Sequence, residues 1–415
     1  MYFNLNLNIQ IILISILPFC LIAGPAPTDI AVSLTGILFI IYSIKYKRKI
    51  NFFNKFVLLF VIFYFYIVLR SLFSENFLLS FESSLFYFRY LFFILSIDLV
   101  VSKNSKIYNY LFISLSASFL ILIFDGFFQY FTGYNILGFE YDGVRVSSLF
   151  LDEKILGSYL SRLTPVFLGL AILLYGDSKH KIIISLILVL LIDVLVILSG
   201  ERSSIFYVFL STFLITALIS KWKFYRLMAF IISLIVATLI FTIDEKVKER
   251  VIYKTLKQTN ILSDKINAFS IQHQVIYSSA LKIYKDYPLF GIGPKLFREK
   301  CKEVKYNTYT IEDGSVDGCQ SHPHNSYIQL LVETGIFGFA FVFMFFLYVN
   351  YLFIKHFLNM IIKKKNLIPD HQICFYAAIY ISLWPLAPTG SFFNNWLGAI
   401  YFLPLGLILN KFVKL

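Results

Sequence analysis

Apolar residues in this chain run in about twelve long stretches, each near the ~20 residues that an α-helix needs to cross ~30 Å of hydrocarbon. They lie at 8–24, 28–44, 56–73, 84–101, 107–131, 155–175, 182–199, 203–220, 226–243, 327–353, 372–388 and 395–411. Of the 415 residues, 58% are hydrophobic, 19% aromatic and 15% charged, whereas a soluble domain carries about 25% charged residues. The 47 Phe and 28 Tyr suit lipid-facing helices with tyrosines near the interfaces. The predicted fold class is all-α: a polytopic transmembrane helix bundle of about twelve spans, with one large periplasmic loop carrying short helices. Its divisions are 1–243 (about nine spans), 244–326 (the loop) and 327–415 (about three spans). The first stretch contains Pro18 and lacks a basic leader and a small-residue cleavage site, so it is expected to be a retained span. No internal repeat, low-complexity segment or second soluble domain is visible.

A formal net charge of +13 could suit nucleic acid, but its distribution argues for topology instead. Alternate connections carry Lys45, Lys47, Arg48, Lys49 and Lys55; Lys103 and Lys106; Lys179 and Lys181; Lys221, Lys223 and Arg226; Lys363, Lys364 and Lys365; and Lys411 and Lys414. The intervening connections, such as 74–83 and 389–394, are nearly free of Lys and Arg. Positive loops stay in the cytoplasm. Both termini are therefore expected inside, with 132–154, 200–202 and 244–326 facing out, membrane lipids as surroundings, and no nucleic acid as partner.

Within the long segment, INAFSIQHQVIYSSALKIYKDYP reads as an amphipathic helix lying against the membrane face. Pro288 stops it, and Gly291-Ile292-Gly293-Pro294 is expected to turn tightly. Cys301 and Cys319 share this segment, where an oxidising compartment allows a disulfide. Cys20 and Cys374 lie in apolar spans and read as core residues.

The polar chemistry concentrates where this segment enters the next apolar stretch, at SHPHNSYIQLLVETGIFG (321–338). It holds His322, His324, Asn325 and Glu333, and histidine moves protons near neutral pH. No carboxylate or cysteine set there has metal-ligand spacing, so no metal is expected. There is no G-x-S-x-G nucleophile elbow, and neither a Walker A sequence nor a dinucleotide fingerprint, so no nucleotide cofactor is expected. Three arginines stand at or inside spans: Arg89, Arg162 and Arg202. An intramembrane arginine normally faces the bundle interior and marks a function. Snorkelling would also place Arg89 and Arg202, and a pair with Asp152 or Glu153 would also place Arg162. Guanidinium groups grip phosphate oxygens in bidentate fashion, so arginines converging on an external cavity would suit a diphosphate whose lipid tail stays in the bilayer.

The string HPHNSYIQLLVETGIFGF resembles the signature of the O-antigen ligase and Wzy-type polymerase superfamily. Supporting matches are SLFYFRYLFF around Arg89, RVSSLFLDEKILGSYL after Arg145, LSGERSS around Arg202, FGIGPKLF, and PTGSFFNNW near Gly390. Together they run from the fourth stretch to the twelfth. The resemblance implies a polytopic glycosyltransferase of the bacterial inner membrane, independent of metal and nucleotide cofactors. It would take a glycan from undecaprenyl diphosphate on the periplasmic face. A ligase passes it to a lipid A core sugar; a polymerase passes it to another carrier-linked repeat unit. By the same resemblance His324 is the general base, with His322 open as its alternative beside Asn325. Arg202 and Arg89 hold the diphosphate, with Arg145 and Arg162 as further candidates, and Glu333 orients His324 or caps the helix. The ligase reading stands ahead of the polymerase. A transporter of polyprenyl-linked sugars is the alternative from another class, but it would place charges at mid-membrane in pseudo-symmetric halves.

Overall fold

The computed structural model describes residues 5–48, 54–259, 269–310 and 316–409. Lys49, Lys411, Lys414, the first residues of the INAFSIQHQ pattern and the last of the twelfth stretch lie outside them. Thirteen helices carry the architecture. They are α1 (Leu5–Ala23), α2 (Pro25–Lys45), α3 (Lys55–Leu72), α4 (Phe77–Lys103), α5 (Ile107–Thr132), α6 (Leu156–Tyr175), α7 (Lys179–Leu198), α8 (Arg202–Leu218), α9 (Lys223–Ile243), α10 (Ile271–Asp286), α11 (Ser326–Ile362), α12 (Asp370–Ser382) and α13 (Asn395–Ile408). All except α10 coincide with the apolar stretches of the sequence.

Among the described residues, nine of these helices are long and apolar enough to cross a membrane. The helices at the eighth, eleventh and twelfth predicted spans have only 17, 13 and 14 residues. At 1.5 Å per residue they reach roughly 20–26 Å, short of ~30 Å of hydrocarbon. The bundle is thus polytopic and all-α, while its count by length is nine. Short α12 is nevertheless wrapped by protein, with residues from Gln372 through Ser382 buried, so its ends meet neighbouring helices rather than lipid.

Two features bend α4 and α11. A tighter turn at Phe86–Phe88 divides α4 and sets Arg89 at the start of its second half. In α11, Gly335 has φ 65° and ψ −171°. A β-carbon there would stand within 2.5 Å of the backbone of Leu289 and Phe290, so only glycine lets that segment cross the helix. The turn of α11 before the break is buried in protein, and the part after it exposes Ile336 and Phe337.

The segment between α9 and α11 contains α10, short helical turns at Glu245–Lys248, Glu249–Tyr253, Lys254–Thr259 and Phe297–Lys300, and a two-stranded antiparallel ribbon, β1 (Tyr309–Thr310) with β2 (Val316–Asp317). The amphipathic helix is present as α10, and its apolar face packs against the protein itself. Ile276, Ala280 and Ile283 pack with Leu296, Phe297, Cys301, Tyr306 and Val332 in a second small core. Burying that face against its own loop and α11 removes the apolar area that would otherwise seek lipid. Cys301 and Cys319 are joined, with their Cα atoms 5.1 Å apart, which fixes the Phe297–Lys300 turn to the strand leading to His322. Cys20 and Cys374 are free.

One charge counted as a loop residue belongs to the interior. Arg226 is buried in α9; its Nη1 donates to Asp193 Oδ2 of α7 at 2.5 Å and its Nη2 to Thr212 Oγ1 of α8 at 2.5 Å. It ties three helices together instead of marking a connection. Arg226→Ala would strand the Asp193 carboxylate in the core and should cost about 3–5 kcal/mol, whereas Asp193→Leu with Arg226→Met should recover most of it. Thermal unfolding of the purified protein in detergent checks this, and an unchanged Tm for the single variant would remove the pair from the stabilising set.

Candidate active site

A cavity of about 1430 Å³ opens at the end of the bundle where α2, α6, α8, α11 and α13 begin. The Lys-bearing connections after α2, α6 and α8 sit at the other end of these helices. Five arginines line the cavity: Arg145, Arg162, Arg202, Arg250 and Arg298. With Lys154 they face three carboxylates, Asp152, Glu153 and Glu201, and three histidines, His273, His322 and His324. Six cations against three acids give the cavity a net attraction for anions.

The turn between α7 and α8 builds the cationic wall. Gly200 has φ 62°, and a β-carbon on it would meet Arg145 Cγ at 3.1 Å and Arg250 Cγ at 3.5 Å. Its absence lets both aliphatic stems pass over the turn. Arg145 donates from Nε to the Ser199 carbonyl at 3.2 Å and from Nη2 to the Lys154 carbonyl at 2.9 Å. Glu201 caps α6, accepting from Gly157 N at 2.7 Å and Ser158 N at 3.1 Å. Its desolvation, offset by Arg145 and by these backbone donors, pushes its carboxyl up to about 7.

Arg162 is buried and makes no pair with Asp152 or Glu153. Its Nη2 donates to Tyr207 Oη and to Thr389 Oγ1, both at 3.1 Å, and its guanidinium lies 4.6 Å from the Tyr207 ring centroid. Its Nε and Nη1 have no protein partner. A permanent cation with spare donors on a cavity wall is suited to an anionic ligand.

Opposite stands an imidazole cluster. The rings of His322 and His324 have centroids 4.2 Å apart, and His273 of α10 lies 6.0 Å from His324. His324 adopts φ 54°, a region that few residues other than glycine enter. It is held there because its carbonyl accepts from Thr389 N at 2.9 Å. Asn325 caps α11, accepting from Tyr327 N at 2.9 Å and Ile328 N at 3.0 Å, and donates to the Pro385 carbonyl. Burial lowers all three imidazole pKa values: His324 below 6.5, His273 to about 4 with help from His324 and Arg202, and His322 to about 3 with help from His324 and Arg298. All three are therefore neutral at pH 7.

Two expected site residues lie elsewhere. Arg89 lines a separate, smaller cleft and pairs with Asp29 at 2.8 Å, so it does not share the chamber of Arg202 and His324. Glu333 is fully buried, and its partners include Gln329 Nε2 at 3.0 Å, Phe297 N at 3.3 Å and the Lys295 backbone. It fixes the loop before Arg298, while the capping role belongs to Asn325. Arg250, Arg298 and His273 escaped sequence reasoning because they sit in a mixed-charge aqueous segment. Their only signal was that this segment leads into the histidine string.

Gly200→Ala would force a left-handed backbone on a β-carbon and push it against Arg145, at a cost of order 1–3 kcal/mol. Thermal unfolding of the variant should show a lowered Tm, and an unshifted Tm would mean the turn has room to adapt.

A search among curated proteins finds no match. Residues 186–343 match the family model described as O-antigen ligase, a segment that contains Arg202, Arg250, His273, Arg298, His322, His324, Asn325 and Glu333. The chain is an integral membrane protein, and its segment 186–343 is similar to the O-antigen ligase family.

Proposed function

We propose that this protein transfers a glycan from undecaprenyl diphosphate to a sugar hydroxyl of lipid A core, on the periplasmic face of the inner membrane with both termini in the cytoplasm. The observation that carries this reading is the single cavity in which five arginines face three imidazoles. The diphosphate of the donor rests on Arg162, Arg202 and Arg145, joined by Arg250 and Arg298. His324 accepts the proton of the acceptor hydroxyl as its oxygen attacks the anomeric carbon. The bond from that carbon to the diphosphate oxygen breaks, and its electron pair leaves with the carrier diphosphate. Guanidinium groups already in place stabilise the charge that develops there, without reorganisation. Glu333 acts through the loop it holds, as a positioning residue. His322, bonded by Ser321 Oγ at 2.9 Å, stands beside the base; its ring sets the position of the neighbouring imidazole.

His324→Ala should lower transfer about 10²–10⁴-fold, the usual contribution of a positioned base, and His322→Ala should lower it less. In cells, the first variant should leave polymer on the carrier and none on lipid A core. Normal attachment would remove His324 from the base role, and a deletion strain with one repeat unit still attached would make the enzyme a polymerase instead of a ligase. The pH profile follows from the sign of the shift. A base whose pKa is held below 6.5 by burial keeps its deprotonated, active form to lower pH than an exposed histidine would. The acid limb of kcat/KM for the purified enzyme should fall below pH 6.5, and a limb above that value would contradict the burial of the base.

A further inference from the structure

The cleft that holds Arg89 is separate from the main cavity and differs from it in shape. It measures about 520 Å³ and lies between α2 and α4, roofed by the loop that carries Lys295. Its wall on α2 runs from Asp29 to Ile40, about 16 Å at the helical rise. The upper end is polar, with Asp29, Glu82, Ser83, Arg89, Lys295 and Asn395. The lower end is apolar, with Ile37, Ile40 and Phe92. Ile37 and Phe86 are 51% and 50% exposed, so the cleft opens sideways where the bilayer would lie. A polar head above an apolar groove with a lateral mouth has the outline of a membrane lipid.

The charges narrow the head group. Arg89 donates to Asn395 Oδ1 at 2.6 Å and to the Phe86 carbonyl at 2.9 Å, besides its pair with Asp29. Lys295, at φ 62°, is half-buried beside it, and the charges of Arg298, Arg89, Glu82 and Glu333 surround it. Two cations and two carboxylates in one cleft suit a ligand bearing a phosphate together with hydroxyl donors, and neither a bare anion nor an apolar molecule. The volume exceeds what a single phosphoester needs. Basic pockets between membrane helices bind lipid head groups by this chemistry.

We propose that this cleft binds the phosphate-bearing sugar head group of a glycolipid, with Lys295 and Arg89 on the phosphate and the carboxylates and Asn395 on hydroxyls. The adjacent residues Asn394 and Asn395 face the main cavity and the cleft respectively, so a lipid seated here lies next to the donor site. In making that lipid the second substrate the inference rests on the transferase reading.

Native mass spectrometry of the full chain in detergent tests it, with lipid A, phosphatidylethanolamine and undecaprenyl diphosphate titrated separately. Lipid A should bind more tightly than phosphatidylethanolamine. Lys295→Gln should weaken lipid A at least tenfold and spare undecaprenyl diphosphate, Lys295→Arg should restore it, and Arg202→Gln should do the reverse. Lipid A binding unchanged in Lys295→Gln would overturn the site. Parallel loss of both lipids in both variants would show one chamber serving both, and equal weakening of both phospholipid and lipid A would reassign the cleft to bulk lipid. If only the Arg202 arm fails, the cleft stands and the donor assignment falls.

Discussion

Thr389 joins the permanent charge of Arg162 to the backbone of His324. Its hydroxyl accepts from the guanidinium at 3.1 Å and its amide donates to the histidine carbonyl at 2.9 Å. Arginine cannot shed its proton in a protein, so the buried charge of Arg162 needs acceptors, and the protein supplies them only at Nη2. Tyr207 supplies one by its hydroxyl and a second contact by its ring face. The same threonine then pins His324 in a backbone conformation of order 1–3 kcal/mol above the common basins. Charge and imidazole are thus mounted on one residue between α12 and α13. Moving either displaces the other.

The polar residues of α11 supply the rest of the mounting. Gln329 Oε1 accepts from Phe392 N at 2.8 Å, while its Nε2 donates to Ser391 Oγ and Glu333. Glu333 in turn holds the backbone at Phe297, one residue before Arg298. The break at Gly335 lets the Leu289–Phe290 segment cross close behind it. A buried network of this kind tolerates no missing member, because each group left unpaired bears its full desolvation penalty. Glu333 holds the loop before Arg298, several residues from the imidazoles.

The helices were legible because lipid imposes a length and a composition on anything that crosses it. The three shortest were legible as apolar stretches but not as short ones, since their ends, such as the turn after Ser382, are set by packing against other helices. His324, Arg202 and Arg162 could be picked out because a charge or imidazole beside an apolar run is costly and needs a reason, whereas Arg145 came only with the family resemblance. Arg250, Arg298 and His273 could not, because in an aqueous segment a charge costs nothing and carries no signal. Arg89 shows the opposite failure. Its cost inside a span was visible, but its partner Asp29 is sixty residues away in sequence, and no pattern joins them. Arg226 read as a loop cation for the same reason, with Asp193 hidden on α7.

The N-terminus of α13 is the thin wall between the two polar spaces of this molecule. Asn394 caps it, accepting from Trp396 N at 2.8 Å and Leu397 N at 3.2 Å, and lines the arginine-rich cavity. Asn395 takes the guanidinium of Arg89 on the other side. Trp396, whose indole donates to the Leu21 carbonyl at 2.8 Å, fastens this wall to α1. A transfer between two lipid-borne partners faces a geometric difficulty, because each partner is confined to the bilayer and only their head groups can meet. On the proposed transferase reading, two clefts separated by one helix turn relieve it, since each lipid would keep its own flank and the head groups would converge at the wall. The helix turn must then be rigid, and its side-chain cap together with the Trp396 anchor makes it so.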